Sequence, residues 1–190
     1  IEYINHIPCT SQEEYKNFYF NAGRLLTILY FLGANDCHYE NLIAVKENLY
    51  LIDVETLFEP IVPFHLSEGR KAKSYLIEKL EDSVLKIGFL ANTSFIKNSD
   101  GKRFDISALG AKLDLSSSDI ISWDYVNTDI MFISKKEVQK CVPHSQPFDN
   151  PDEIDISNYI SKLIEGFSIQ YKIIIENKES FLTILEKFRS

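Results

Sequence analysis

In the stretch "NDCHYENLIAVKENLYLIDVET", residues 35–56, three polar side chains of complementary chemistry crowd into one short turn: Asp36, His38 and Asn41. Two apolar runs come next, and then two carboxylates, Asp53 and Glu55. Asp36 precedes Asn41 by five positions, and Asp53 lies twelve beyond Asn41. A carboxylate and an amide carbonyl are the hard oxygen donors that Mg²⁺ takes together with phosphate oxygens. A second carboxylate close by can accept the proton of an attacking hydroxyl, an effect worth roughly 10²–10⁴-fold. Phosphoryl transfer needs this kind of positioning and charge neutralisation and little covalent help. The bland alternative is that Asp36 and Asn41 are turn formers, Asp53 caps the segment after it, and His38 bonds to backbone.

The elements that would position these groups are legible around them. "CTSQEEYKNFYFNAGRLLTILYFLG" predicts a helix, capped by Thr10 or Ser11 with Glu13 or Glu14 completing a capping box, with Leu25, Ile28, Leu29 and Leu32 on one face and Gly33 as its stop. "NLIAV" and "LYLIDV", joined by Lys46, Glu47 and Asn48, predict a hairpin that folds the two polar segments side by side. Glu55 shares a face with Asp53 if the second strand continues. Further on, "EGRKAKSYLIEKLEDSVLKIG" has helical periodicity, "NSDGKRFDIS" carries an Asp-Gly turn signal, and "DLSSSDIISWDYVNTDI" reads as irregular and polar. "VPHSQPFDNPDEID", with three prolines, reads as an exposed loop. Ile160, Leu163, Ile164, Phe167, Tyr171 and Ile174 define a helical face, and a second helix is expected near Phe181 to Phe188.

Composition narrows the function classes. The 190 residues are 45% hydrophobic, enough for one packed domain. A net charge of -8 with no basic block argues against nucleic acid or an anionic membrane surface as partner. Three widely spaced cysteines are no disulfide framework and point to a reducing, cytoplasmic setting. No apolar run is long enough to span a bilayer. The opening "IEYINHIP" has no initiator Met or signal pattern, so a piece of a longer protein is expected.

Protein kinases carry the same order: a catalytic-loop Asp, an Asn five residues on, and a metal-binding Asp after a short hairpin. Kinase-like small-molecule phosphotransferases also place a His two residues after the Asp, as at His38. A closer resemblance lies in "GRLLTILYFLGANDCHYENLIAVKENLYLIDVETLFEP". It resembles the dehydratase domain of class II lanthipeptide synthetases of the LanM type, which carry Gly-x-Leu-Leu, Asp-x-His-x-x-Asn-Ile-Ile and Ile-Asp-x-Glu-Thr-Leu-Phe. Gly23, Leu25, Leu26, Asp36, His38, Glu40, Asn41, Asp53, Glu55, Thr56, Leu57 and Phe58 fit that pattern. "SVLKIGFL", "FDISALG", "VNTDIM" and "EGFSIQY" are similar to its later segments, so the resemblance runs through nearly the whole chain.

The resemblance implies an α+β, lipid-kinase-like C-lobe, mainly helical, with short hairpins carrying the catalytic and metal-binding loops. It implies an enzyme that uses ATP and Mg²⁺ to phosphorylate Ser and Thr of a ribosomal precursor peptide, then eliminates phosphate to leave dehydroamino acids. Asp36 and His38 would be catalytic, Asn41 and Asp53 would bind the Mg²⁺-nucleotide, and Glu55 would be a further metal ligand. Residues 1–190 would form one partial dehydratase domain. The family's nucleotide-contacting Lys lies in an N-lobe upstream of the segments matched here, its elimination residues lie past "LEKFRS", and its zinc cyclase is a separate C-terminal domain. The isolated piece is therefore expected to turn over little or nothing. The competing expectations are an antibiotic-kinase-type phosphotransferase and a non-catalytic peptide-binding module.

Other residues carry weaker signals. Cys141 and His144 have Cys-x-x-His spacing, with His65 distant, but a zinc site needs more ligands, and a plain loop is expected. Cys37 is a nucleophile in principle and a small buried side chain more simply. Arg70, Lys71 and Lys73 suit phosphate or an acidic leader peptide, or form a solvated helix face. Asn127 to Asp129 is a turn or an activation-region support, and Trp123 is core or peptide-groove surface.

Overall fold

Ser11 sets the start of the first helix. Its Oγ accepts the Glu14 N–H at 3.2 Å, while Glu14 Oε2 accepts from the Thr10 N–H at 2.6 Å and the Thr10 hydroxyl at 3.0 Å. This is the reciprocal capping that the sequence predicts, with the glutamate closing on the residue before the cap. Helix α1 then runs Gln12–Phe31 and ends as Gly33 takes a φ of 62°, which glycine adopts without a Cβ penalty. The computed structural model of the chain describes residues 3–58, 75, 79–91, 96–97, 103–110, 119–137, 143–150 and 154–187.

The buried stripe of α1 is not the one the leucines suggest. Phe18, Tyr19, Ala22, Gly23, Leu26, Thr27 and Leu29 are buried, whereas Leu25, Ile28 and Leu32 are half-buried. Gly23 and Thr27 are the reason, because they face a second helix rather than solvent. Helix α2 (Ile160–Glu176) crosses α1 so closely that a Cβ on Gly23 would fall on the Leu163 carbonyl, and one on Gly166 would fall on the Phe20 carbonyl. The Thr27 hydroxyl sits in the same crossing, 3.1 Å from the Gly23 carbonyl and 3.0 Å from the Phe167 carbonyl. Leu163, Phe167 and Ile174 of the expected α2 face pack inward. Ile160, Ile164 and Tyr171 of that face are exposed, since the glycine contact rotates the helix away from them. Helix α3 (Lys178–Glu186) comes next, starting three residues earlier than expected, within the polar "ENKES".

The expected hairpin is present. Strand β1 (Leu42–Val45) pairs antiparallel with β2 (Asn48–Leu51) across a tight turn at Lys46 and Glu47, with Leu42 opposite Leu51 and Val45 opposite Asn48. Leu42 and Ala44 point into the core with Phe18, Leu26, Leu29, Ile87, Phe89 and Ala108. Strand β2 ends at Leu51, and residues 55–58 form a turn, so Asp53 and Glu55 do not lie on a continued strand as the alternation suggested. β3 (Ile96–Lys97) pairs with β4 (Arg103–Phe104), bracketing the Asp-Gly signal, whose own residues lie outside those described.

Two expectations are corrected. The "irregular" stretch contains strand β5 (Asp119–Asp124), which pairs over its full length with β6 (Phe132–Glu137). Its β-branched residues outweigh the serines before it. Asn127 to Asp129 is the turn of that hairpin, with Thr128 bonded back to the Tyr125 carbonyl, and Trp123 at its end is 53% exposed, hence not core. The proline-rich "exposed loop" is largely buried: Pro143, Ser145, Gln146, Pro147 and Phe148 are all inside. Main chain holds several of its polar groups, Ser145 Oγ and Gln146 Nε2 each donating to the Ala108 carbonyl at 2.7 Å, while the His144 carbonyl accepts from Ala44 N–H at 2.7 Å; Gln146 Oε1 is buried without a partner among the described residues. Of the charged stretch around residue 75, residues 75 and 79–81 are helical, and the expected basic run at 70–73 lies outside the described residues. The result is an α+β architecture in which helices α1 to α3 and shorter helical segments accompany three two-stranded antiparallel sheets among the described residues.

The crossing generates a prediction with a definite sign. In an exposed helix, Gly→Ala stabilises by about 1 kcal/mol. Here Gly23→Ala and Gly166→Ala should each destabilise the chain by about 1–3 kcal/mol through overpacking against a backbone carbonyl. Urea denaturation of the two variants measures this, and stabilisation by either would mean that the helices do not cross so closely.

Candidate functional site

Gly33 releases the chain from α1 into the polar turn. Ala34 N–H still bonds to the Leu29 carbonyl, and the next two residues turn outward. Asp36 has a φ of 56°, a left-handed conformation that costs an ordinary residue roughly 1–2 kcal/mol and that Asp tolerates better than most. The Asn35 side chain supports the strain by accepting the Asp36 N–H at 2.9 Å. Asp36 is thereby exposed, whereas Cys37 beside it is 1% exposed and forms the anchor of the turn.

Three later segments clamp this turn. Cys37 N–H donates to the Ile87 carbonyl at 2.7 Å, and Tyr39 N–H donates to the Ile106 carbonyl at 3.1 Å. His38 bridges to Ser107 in an antiparallel contact. Asn35 N–H donates to the Thr56 carbonyl at 3.3 Å, and Thr56 Oγ1 returns a bond to the Asn35 carbonyl. Sequence reasoning singled out "SVLKIGFL" and "FDISALG" only as family segments, and the roles of Ile87, Ile106 and Ser107 as supports were missed. They act through backbone groups, which leave no mark on residue type.

The hairpin completes the neighbourhood. Ile52 N–H donates to the Asn41 carbonyl at 2.9 Å, so Asn41 is bonded to the residue just before Asp53. With the Asn35–Thr56 bonds at the other end, segments 35–41 and 52–56 run side by side, tied at both extremities. Asp36, His38 and Asn41 are joined directly: Asn41 Nδ2 donates to the Asp36 carbonyl at 2.9 Å and lies 3.2 Å from His38 Nδ1, which is 3.0 Å from the Asp36 carbonyl and 3.4 Å from its Oδ1. Asp53 is bonded locally, its Oδ1 accepting the Glu55 N–H at 3.2 Å, and Glu55 is exposed. Among the described residues no hydrogen bond joins the Asp53 carboxylate to Asn41 or Asp36.

His38 is held at both ring nitrogens, Nδ1 toward Asp36 and Nε2 toward Glu40 Oε2 at 3.2 Å. Burial pushes its pKa down. The Asp36 carbonyl, the Glu40 carboxylate and the charge of Asp36 more than offset this, and the pKa lies above its ordinary 6.5. Cys37 goes the other way. Burial first, and the charge of Asp36 second, push its thiol up to about 12, which removes it as a nucleophile at neutral pH. Cys9 and Cys37 are free thiols, while Cys141 and His65 lie outside the described residues. His144, the described member of that zinc reading, stacks on His6 with centroids 5.3 Å apart.

Could these residues hold a magnesium-bound phosphate? Among the described residues no three His, Cys, Asp or Glu side chains converge as a metal cluster. Mg²⁺ does not need one, because it keeps several waters and takes one or two protein oxygens plus phosphate oxygens. Asn41 uses its Nδ2 inside the turn, which leaves its Oδ1 without a protein partner among the described residues, and Asp53 likewise keeps one carboxylate oxygen. The donor chemistry fits.

The raised pKa of His38 predicts a pH dependence. The imidazolium is favoured by folding, so its contribution to stability is complete below about 6.5 and is lost as pH rises through the higher folded value. Following the His38 ring protons by NMR should give a midpoint above 6.5. His38→Gln should flatten the pH dependence of thermal stability across that window. A midpoint below 6.5 would contradict the two-sided hydrogen bonding.

Comparison with known proteins adds kinship. The chain is 33% identical over 193 residues to the lacticin 481/lactococcin biosynthesis protein LcnDR2 of Lactococcus lactis subsp. lactis. The match takes in 98% of this chain and 20% of that relative, so the chain spans a fifth of the relative's length. The family model described as a domain of unknown function, DUF4135, matches residues 1–190. With the model matched from first residue to last, the chain belongs to the DUF4135 family.

Proposed function

We propose that this chain is the kinase-like C-lobe of a lanthipeptide dehydratase domain. Its similarity to a lacticin 481/lactococcin biosynthesis protein supports a place in lanthipeptide biosynthesis, acting on a precursor peptide. In this reading residues 1–190 work with an N-lobe and a zinc cyclase elsewhere in the parent protein, in the cytoplasm. No helix among the described residues is long and apolar enough to cross a membrane.

The observation that carries the reading is the pair of backbone ties, Asn41–Ile52 and Asn35–Thr56, which run the Asp36–Asn41 turn alongside Asp53 and Glu55. Mg²⁺ bound there would neutralise phosphate charge and orient the transferring group. Asn41 Oδ1 and the free Asp53 oxygen would hold it, with Glu55 as an additional acidic ligand. Asp36 is exposed and held outward by its backbone, suited to accept or orient the hydroxyl proton of a peptide Ser or Thr. His38, facing Asp36, would keep that carboxylate oriented and balance its charge. Elimination of phosphate to the dehydroamino acid would take place in the same parent protein.

Two substitutions in the intact protein test the reading, with ATP, Mg²⁺ and its Ser/Thr-containing precursor peptide. Asp36→Asn should lower phosphopeptide formation by roughly 10²–10⁴-fold, followed by mass spectrometry, with the circular dichroism spectrum unchanged. Undiminished phosphorylation would remove Asp36 from the reaction. Asp53→Asn should shift the Mg²⁺ titration of nucleotide binding, followed by calorimetry, to higher metal concentration. A titration identical to that of the parent would rule out Asp53 as a ligand.

A further inference from the structure

Glu40 occupies the middle of the short turn Tyr39–Asn41, with its side chain 64% exposed, where a carboxylate gains nothing from burial. Both of its oxygens are nevertheless engaged. Oε2 lies 3.2 Å from His38 Nε2, and Oε1 accepts the Tyr39 hydroxyl at 3.1 Å. The opposite ring nitrogen of His38 meets the Asp36 carbonyl at 3.0 Å, the Asp36 carboxylate at 3.4 Å and Asn41 Nδ2 at 3.2 Å. Whichever proton the Nδ1 side carries, Glu40 requires a hydrogen on Nε2, because a carboxylate only accepts.

An imidazole side chain is free about its last torsion, which is broad and roughly two-fold. The Asp36 side prefers nitrogen Nδ1 to the carbon edge that a half-turn would bring there, yet its acceptors and donor suit Nδ1 with or without a proton. The Nε2–Glu40 bond adds the second point that fixes both the ring orientation and the proton on Nε2, and the Tyr39 hydroxyl holds the carboxylate that supplies it. We propose that Glu40 is a positioning residue that locks the His38 ring with Nδ1 facing Asp36 and Asn41. The proposal rests on the phosphoryl-transfer reading above for its catalytic consequence, and on the hydrogen bonds alone for its structural one. Glu40 itself touches no reacting atom. It acts through His38, as an outer partner of a catalytic or metal-binding histidine does, where loss typically changes activity by 10–100-fold.

The test has two arms. In the intact protein, with ATP, Mg²⁺ and its precursor peptide, Glu40→Ala should lower kcat for phosphopeptide formation by about 10-fold or more, with KM changed far less. Glu40→Gln, whose amide oxygen still accepts from Nε2–H, should recover most of the rate. The double variant Glu40→Ala/His38→Ala should be no slower than His38→Ala alone, because two residues acting as one unit are not additive. Multiplying effects, or a Gln variant as slow as Ala, would overturn the proposal. In the second arm, the ring nitrogens of His38 are observed by ¹⁵N NMR in this chain without nucleotide. Glu40→Ala should shift the Nε2 resonance and broaden the ring signals, whereas Glu40→Gln should leave the ring ordered. An unchanged histidine in Glu40→Ala would refute the lock irrespective of activity. An intact parent protein that forms no phosphopeptide at all would instead sink the phosphoryl-transfer reading and leave the NMR arm to decide on Glu40.

Discussion

The approach of α1 to α2 through Gly23 and Gly166 is the contact on which the remaining geometry depends. Two backbones lie where side chains ordinarily keep them apart, so the register of one helix on the other is set by main-chain atoms. Thr27 adds a hydroxyl shared between the Gly23 and Phe167 carbonyls, satisfying a polar group that is otherwise fully buried. Once that register is set, the C-terminal end of α1 has one position. From that end the chain enters the polar turn, and the Leu32 carbonyl takes the Phe58 N–H where the carboxylate segment comes back. Both sides of the candidate site hang from the same helix terminus.

The site is built mainly by backbone, and this explains its mixture of order and exposure. Main-chain bonds from Cys37, Tyr39 and Asn35, and one from Ile52 to the Asn41 carbonyl, tie the turn to three other segments, so it is held to the rest of the fold largely without the side chains that carry the chemistry. Asp36, Glu40 and Glu55 are left facing solvent, and Asn41 and Asp53 each keep an oxygen free of protein partners among the described residues. Carboxylates of Asp36 and Glu40 on the two edges of one histidine give a locally negative field that a cation would relieve. Within that field folding shifts the charge state of His38 toward the cation, because acceptors face it on both edges.

Much of this was readable along the chain, and the parts that failed share a cause. The cap at Ser11, the glycine stop and the β1–β2 hairpin are local, governed by residues within a few positions of one another, although Asn48, expected in the link, opens β2 instead. The burial of Pro143 to Phe148 is not local. Prolines and polar residues argue for solvent unless distant carbonyls, here Ala108, satisfy them inside. The rotation of the α1 and α2 faces is the same kind of failure: leucine spacing marks apolar positions, while the helices chose glycine and threonine for their closest contact. Glu55 was placed by strand alternation that stops at Leu51, where a turn takes over.

What the sequence determined by itself was the inventory and its spacing: Asp36, His38 and Asn41 in one turn, a hairpin, then Asp53 and Glu55. Spacing of that length is dictated by turn and strand geometry, which short-range sterics and hydrogen bonding already control. Only the tertiary structure decided how the turn is anchored, and that Cys37 lies buried and inert while Asp36 faces solvent. Those outcomes rest on carbonyls contributed by Ile87, Ile106 and Thr56. Every residue carries a carbonyl, so which one arrives is set by the packed fold and not by residue type.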